Sequence, residues 1–199
     1  MPAKIGELAP TFKMDTYFPI TENEKEVKLE DYKGKWLILY FYPADFTFIC
    51  PTELKELGEQ YNTIKQLEGE ILAVSTDTVF THRAWIETEK LLKNVKYPLA
   101  ADHNGKVSRD YGVDDEETNR ARRGAFIIDP DGKLRTMYIV DLDIGRSVTE
   151  IVRLLKAAKF VRENPGPACP ASWNEGKTIL KPSIKIAGHV YEALEEKNE

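Results

Sequence analysis

Trp36-Leu37-Ile38-Leu39-Tyr40-Phe41-Tyr42, closed by Pro43 and followed by Cys50-Pro51-Thr52-Glu53, is the stretch whose pattern decides the fold. All seven leading positions are apolar or aromatic, so both faces of the segment want burial. That suits a central strand covered on both sides. Pro43 ends it. A helix is expected to begin near Cys50: proline is tolerated in a first helical turn, and Glu53 there suits the helix dipole. Leu54, Leu57, Tyr61, Ile64 and Leu67 then recur at helical spacing on one face, and Gly69 is the predicted stop.

Working outward, the same alternation continues. Ile71–Ser75 reads as a second buried strand and Thr81–Leu92 as a helix anchored by Trp85, Leu91 and Leu92. Tyr97–Ala101 reads as a short strand and Lys106–Tyr111 as a helical turn. Ala125–Asp129 and Leu134–Val140 flank Pro130-Asp131-Gly132-Lys133, which predicts a hairpin. Ser147 and Glu150 offer a capping box for a helix with Val148, Ile151, Val152, Leu155, Ala158 and Phe160 on its apolar face. Before the central strand the chain is polar, with Thr21–Lys28 read as a solvated turn beside one strand. After Asn164-Pro165-Gly166-Pro167 it becomes proline-rich and aperiodic, reading as an extended arm with a charged helical tail from about Val190; Glu192–Glu199 reads as a solvated helix or a frayed end. Strand, helix, strand, helix, hairpin, helix is the order of an α/β thioredoxin-like fold with a mixed central sheet flanked by helices. An N-terminal extension, an insertion near residues 93–120 and a C-terminal arm would be added to it. The expected division is a domain over residues 1–165 and an arm over 166–199.

Composition excludes several classes. The 199 residues are 42% hydrophobic and 31% charged, an ordinary globular balance. Two cysteines cannot staple a secreted scaffold. A net charge of −5 argues against a nucleic-acid binder. The longest apolar run, Trp36–Tyr42, falls far short of the roughly 18 residues of a membrane span. Met-Pro-Ala-Lys-Ile-Gly-Glu has no apolar stretch after its lysine, so no signal peptide and a reducing, cytoplasmic compartment are expected.

In that compartment two isolated cysteines read as reactive or incidental rather than as a structural bridge. Cys50 stands where a buried strand gives way to a helix. The nucleophile is the thiolate, and a helix N-terminus favours the anion. Thr47, three residues upstream, offers a hydroxyl that can donate to a small substrate's oxygen. The bland alternative, a buried core cysteine, stays open. Cys169 lies in Pro167-Ala168-Cys169-Pro170, which cannot be helical and suits a thiol that travels. It can equally be an incidental surface cysteine. As a pair they suggest a cycle in which Cys50 becomes a sulfenic acid and Cys169 condenses with it. A dithiol oxidoreductase is disfavoured because Cys50-Pro51-Thr52-Glu53 lacks a second cysteine. His82, His103 and His189 show no metal-ligand spacing, and a Cys–His nucleophile pair stays open. Asp45 and Asp129 suggest no paired-carboxylate chemistry.

Pro43-Ala44-Asp45-Phe46-Thr47-Phe48-Ile49-Cys50-Pro51-Thr52-Glu53 resembles the active-site segment of the peroxiredoxins, whose signature is Pro, three residues, Thr, two residues, Cys. The resemblance continues through Asp31-Tyr32-Lys33-Gly34-Lys35, His82-Arg83-Ala84-Trp85, Arg123-Gly124-Ala125-Phe126, Gly145-Arg146-Ser147 and Cys169-Pro170, and so spans nearly the whole chain. Lys156-Ala157-Ala158-Lys159-Phe160 and Trp173-Asn174-Glu175-Gly176 resemble the alkyl hydroperoxide reductase C group, the typical two-cysteine peroxiredoxins.

That resemblance implies a thiol-dependent peroxidase that reduces hydrogen peroxide and alkyl hydroperoxides in antioxidant defence. It implies Cys50 as the peroxidatic and Cys169 as the resolving cysteine, joined in a disulfide between the two protomers of a dimer. Arg123 would stabilise the thiolate and the polarised peroxide, Pro43 would shield the sulfur from water, and Thr47 would hydrogen-bond the peroxide. Glu53 and Arg146 match a supporting pair, and Trp85 would pack near the site. It implies no metal, haem or flavin in this chain, reduction by a dithiol protein (a flavoprotein hydroperoxide reductase or thioredoxin), and dimers that assemble as a ring of five. The Gly-Gly-Leu-Gly insertion and Tyr-Phe helix of overoxidation-sensitive eukaryotic relatives have no counterpart: Leu92–Tyr97 occupies the first region, and no phenylalanine follows Tyr191. That favours a robust peroxidase over a peroxide sensor. A ring-shaped holdase chaperone or redox relay, and a thioredoxin-like electron carrier, are the alternatives.

Overall fold

The computed structural model describes residues 2–195. The chain separates into two compact units, one up to Ile151 and one from Val152. In chain order the elements are β1 (Lys13–Phe18), β2 (Asn23–Lys28), β3 (Trp36–Phe41), α1 (Cys50–Glu59), α2 (Tyr61–Gln66), β4 (Gly69–Ser75) and α3 (Val79–Thr88). There follow β5 (Leu99–Ala101), α4 (Lys106–Asp110), β6 (Asp114–Asp115), β7 (Arg120–Ala121), β8 (Arg123–Ile128) and β9 (Leu134–Val140). The last two are α5 (Val148–Glu163) and α6 (Val190–Glu195).

Seven strands form one mixed sheet in the order β2-β1-β5-β4-β3-β8-β9. β3 runs parallel to β4, and β4 to β5, each pair joined through helix, while β3 pairs antiparallel with β8 and β8 with β9. This is the expected thioredoxin-like arrangement. Every residue of β3 is buried, so the reading of a strand covered on both faces holds. Successive side chains point to opposite faces. Leu37, Leu39 and Phe41 join a core with Leu72, Val74, Ala100 and Ile128. There Phe41, Tyr111 and Phe126 pack as three rings 5.0–5.6 Å apart. Ile38, Tyr40 and Tyr42 face the other side, the side that carries the chemistry.

The backbone of Gly124 crosses Phe41 in the β3–β8 ladder. A Cβ there would meet Val113 Cγ1 at 2.8 Å and the Phe126 ring at 2.9 Å. Phe126 is wedged in the ring cluster and has nowhere to go. Gly124→Ala is therefore expected to cost about 1–3 kcal/mol, measured as a lowered urea midpoint at unchanged slope. An unchanged midpoint would show that the cluster yields.

Several sequence expectations are corrected. Asn23–Lys28 is not a turn but the edge strand β2, paired along all of β1. Only Val27 is buried in it, which leaves no alternation to read. The expected single helix after Cys50 is divided at Gln60, which ends α1 and caps α2. The stop is not Gly69, which already pairs with Trp36 in β4. Glu68 makes the turn instead, at φ 60°, a conformation uncommon for a side-chain-bearing residue. Leu91 is exposed in a short 3-10 turn rather than anchoring a helix, whereas Leu92 is buried as expected. The small β6–β7 ribbon adds a pairing that the sequence does not signal.

The Ser147 hydroxyl accepts from the Glu150 N–H at 3.3 Å, the expected cap of α5. In the second unit, Ala168 and Leu180 form an isolated antiparallel bridge, and Phe160 packs on Trp173 with ring centroids 4.8 Å apart. Glu192–Glu195 lies in α6, and residues 196–199 of the expected tail lie outside the described residues. No helix among the described residues is long and apolar enough to cross a membrane.

Candidate active site

The fully buried strand β3 delivers the chain to the C-terminal edge of the sheet, where residues 43–49 loop back and Cys50 opens α1. Cys50 is a free thiol with no exposed surface. Pro51 follows it in the first turn, where its missing N–H costs nothing. The loop before it is pinned from several directions. The Asp45 N–H donates to Asp77 Oδ2 at 2.8 Å, and the Thr47 hydroxyl donates to the Ala44 carbonyl at 2.7 Å. Phe46 adopts φ 54° and lays its ring on buried Trp85, 6.2 Å between centroids. Trp85 in turn packs on Tyr42 at 5.9 Å. Trp85 thus supports the loop and is a packing residue.

Two arginines and one glutamate, far apart in sequence, converge under Cys50. Arg123, the first residue of β8, directs Nη1 both to Cys50 Sγ at 3.4 Å and to Glu53 Oε2 at 2.8 Å. Its Nε donates to the Leu142 carbonyl at 2.6 Å, fixing the guanidinium plane. Glu53, on the first turn of α1, accepts from Arg146 three times: from the backbone N–H at 2.7 Å, from Nε at 2.9 Å and from Nη2 at 3.0 Å. All three residues are buried. Burial alone would push the Glu53 carboxyl up, but the Arg146 hydrogen bonds and charge, with that of Arg123, hold it below its ordinary value. Burial likewise works against the Arg123 charge, and the bonds to Cys50 and Glu53 more than offset it.

The charge count is informative. Two guanidiniums face one carboxylate, so one positive charge lacks a partner inside the cluster. Its free donor direction points at Cys50 Sγ. A negative sulfur would complete the cluster, and a buried positive charge left alone is expensive.

Above the sulfur is a cavity of about 260 Å³ lined by Pro43, Thr47, Phe48, Cys50, Arg123 and Leu142, among others. Phe48 is 92% exposed at its rim. A cleft of about 560 Å³ lies elsewhere, around Lys13, Asp15 and His103. It contains no thiol, so chemistry and not size locates the site. The Thr47 hydroxyl proton is already given to Ala44. In this geometry the hydroxyl has an acceptor lone pair, not a proton, to offer a molecule in the cavity.

Some participants lie beyond what the sequence reveals. Leu142 acts through its carbonyl, which no sequence pattern marks. Asp45, unremarkable in the sequence, is buried with His82 Nδ1 at 2.7 Å and the Tyr42 hydroxyl donating to it at 2.7 Å. Burial pushes the Asp45 carboxyl up, against the pull of His82. His82 Nε2 reaches the Ala100 carbonyl at 3.2 Å, so both ring nitrogens are engaged away from the sulfur. That closes the Cys–His option for His82. Arg120 and Arg122 are exposed, unlike Arg123. Cys169 belongs to the second unit and is a half-buried free thiol. Burial pushes that thiol up, with Arg153 pulling the other way.

A buried thiol facing an uncompensated guanidinium, at a strand-to-helix junction of a thioredoxin-like sheet, is the arrangement of a thiol-dependent oxidoreductase. Comparison with known proteins narrows that class. Residues 5–137 match the model of the AhpC/TSA family. An alkyl hydroperoxide reductase C of Bacillus subtilis is 43% identical over 182 residues, covering 92% of this chain and 94% of its own. One of Amphibacillus xylanus is 47% identical over 165 residues, covering 83% and 88%. The solved structure of a reduced 2-Cys peroxiredoxin from Plasmodium vivax superposes with a TM-score of 0.89 at 35% identity, over 96% of this chain and all of that one. The chain belongs to the AhpC/TSA family.

Proposed function

We propose that the protein is a thiol peroxidase that reduces hydrogen peroxide and small alkyl hydroperoxides through Cys50. The observation that carries the reading is the Arg123 guanidinium, held by Glu53 and Leu142 and left with a donor 3.4 Å from the sulfur. The Cys50 thiolate attacks the terminal oxygen in line with the O–O bond. An S–O bond forms, the O–O bond breaks, and the electron pair leaves on the distal oxygen as alkoxide or hydroxide. Arg123 stabilises that developing charge, the most effective use of a fixed donor. Thr47 accepts the O–H of the hydroperoxide and orients it. A proton from solvent completes the alcohol or water. Pro43 and the apolar wall keep bulk water off the sulfur.

Cys50 is then a sulfenic acid. Cys169 condenses with it, expelling water and forming a disulfide. Because Cys50 has no exposed surface, the first turn of α1 must open for this step. In this reading residues 166–199 serve as an arm that carries Cys169 to the Cys50 of a second protomer. A dithiol protein, a flavoprotein hydroperoxide reductase or thioredoxin, returns both thiols. The active form is a homodimer, five of which close a ring, working in the cytoplasm as antioxidant defence.

The test is peroxide consumption with a dithiol reductant. Cys50→Ser is expected to abolish turnover. Cys169→Ser is expected to retain a single oxidation by one equivalent of peroxide but to lose the disulfide-linked dimer on non-reducing electrophoresis. Undiminished turnover in Cys50→Ser would overturn the reading, and an oxidised wild type that stays monomeric on the gel would overturn the bridge between protomers.

A further inference from the structure

Tyr40 sits near the C-terminal end of β3 with no exposed surface, and its hydroxyl has no hydrogen-bond partner among the described residues. Burial pushes its phenol far up, so it stays neutral at any working pH. A buried hydroxyl with no partner is a cost rather than a benefit. The contact that joins Tyr40 to the charged cluster is made by its ring.

Arg146 Cζ lies over the ring face, 3.6 Å from the centroid. Arg146 is fully buried and spends its Nε, Nη2 and backbone N–H on Glu53, while Nη1 has no partner among the described residues. Glu53 therefore holds the guanidinium by its edge, within its plane. The ring adds a contact on the face of the guanidinium, out of that plane. A cation on a ring face is favoured, and more so away from water.

The consequence travels by direct contact. Arg146 Nη2 and Arg123 Nη1 meet on the same carboxylate oxygen, Glu53 Oε2, at 3.0 and 2.8 Å. Arg123 Nη1 is also the nitrogen 3.4 Å from Cys50 Sγ. One nitrogen is thus shared between a carboxylate and the sulfur. Arg146 is thus linked to Arg123 through one oxygen of Glu53, and Glu53 and Cys50 draw on the same Arg123 nitrogen.

We propose that Tyr40 is a positioning residue for the peroxidase reaction: its ring face fixes Arg146, and through Glu53 aims Arg123 at Cys50. The charged groups around Tyr40 are Arg146, Glu53, Arg123 and Glu56, and the first three form the chain of contacts that ends at Cys50. The proposal rests on the peroxidase reading, yet it can be measured without turnover.

The experiment follows iodoacetamide alkylation of Cys50 against pH in Cys169→Ser protein, with the urea midpoint as a folding control. Tyr40→Phe is expected to match the parent within about twofold. Tyr40→Leu is expected to move the profile to higher pH and to slow alkylation at neutral pH by about tenfold, the scale of a desolvated cation–π contact. Pentafluorophenylalanine at position 40 keeps the ring's shape but reverses its quadrupole, and is expected to follow Leu while folding like Phe. If Phe is as slow as Leu, the hydroxyl and not the ring matters, and the proposal falls. It falls also if the fluorinated ring leaves the profile unchanged. A wild type that alkylates as described but consumes no peroxide would sink the peroxidase reading and leave this positioning role standing.

Discussion

Replacing Arg123 by methionine is expected to lower the second-order rate constant of Cys50 with hydrogen peroxide by about 10²–10³-fold, the usual cost of losing one preorganised donor to a developing anion. Methionine keeps most of the length and packing, and Glu53 retains its three bonds from Arg146. The loss therefore falls on the sulfur and the departing oxygen, both of which need the guanidinium. Lysine should recover only a small part. A single ammonium cannot reach the Leu142 carbonyl, Glu53 and Cys50 together, contacts that the forked guanidinium makes at 2.6, 2.8 and 3.4 Å. Stopped-flow mixing with limiting peroxide measures the constant directly. A decrease of less than tenfold in the methionine variant would mean that the helix start and the Cys50 backbone amide carry the stabilisation, and that Arg123 is a structural ion-pair partner.

What the sequence makes legible, and what it leaves to the structure, divides along a physical line. The seven-residue apolar run ending at Pro43 announces a central strand because burial on both faces leaves a signature at every position. The edge strand β2 has one buried side chain and announces nothing, since an exposed edge is specified by its partner more than by its own composition. The site shows the same division. Cys50 is legible from a local juxtaposition of strand end, proline and helix start. Arg123 is not distinguishable from Arg120 and Arg122 by its neighbours in sequence; only the family pattern singles it out, and only the fold shows why it is the buried one. Asp45, His82 and the Leu142 carbonyl need the fold outright, because their roles depend on distance between elements. Tyr40 reads in sequence as one more ring in a buried strand, and its contact is visible only with the guanidinium above it.

Glu53→Gln is expected to destabilise the fold by about 3–5 kcal/mol near neutral pH, the cost of removing one partner from a buried ionic cluster. The amide matches the carboxylate in shape, so no cavity forms and the effect is electrostatic. It removes the carboxylate counter-charge of the two buried guanidiniums and offers only one oxygen where two accept now. The pH dependence separates this from a packing loss. The Glu53 carboxyl is held below its ordinary value in the folded protein. Its stabilising contribution is therefore fully present above the unfolded carboxylate range, near pH 4.5, and is lost as pH falls through the lower folded value. Wild type and Glu53→Gln should thus differ most at about pH 6–8 and converge in acid, as Glu53 itself becomes neutral and comes to resemble the amide. Urea denaturation at a series of pH values gives the difference at each point. A gap that stayed constant down to about pH 3 would show that the glutamate is held by shape alone. The same variant should also slow Cys50, because a guanidinium with no carboxylate to anchor it no longer stays aimed at the sulfur.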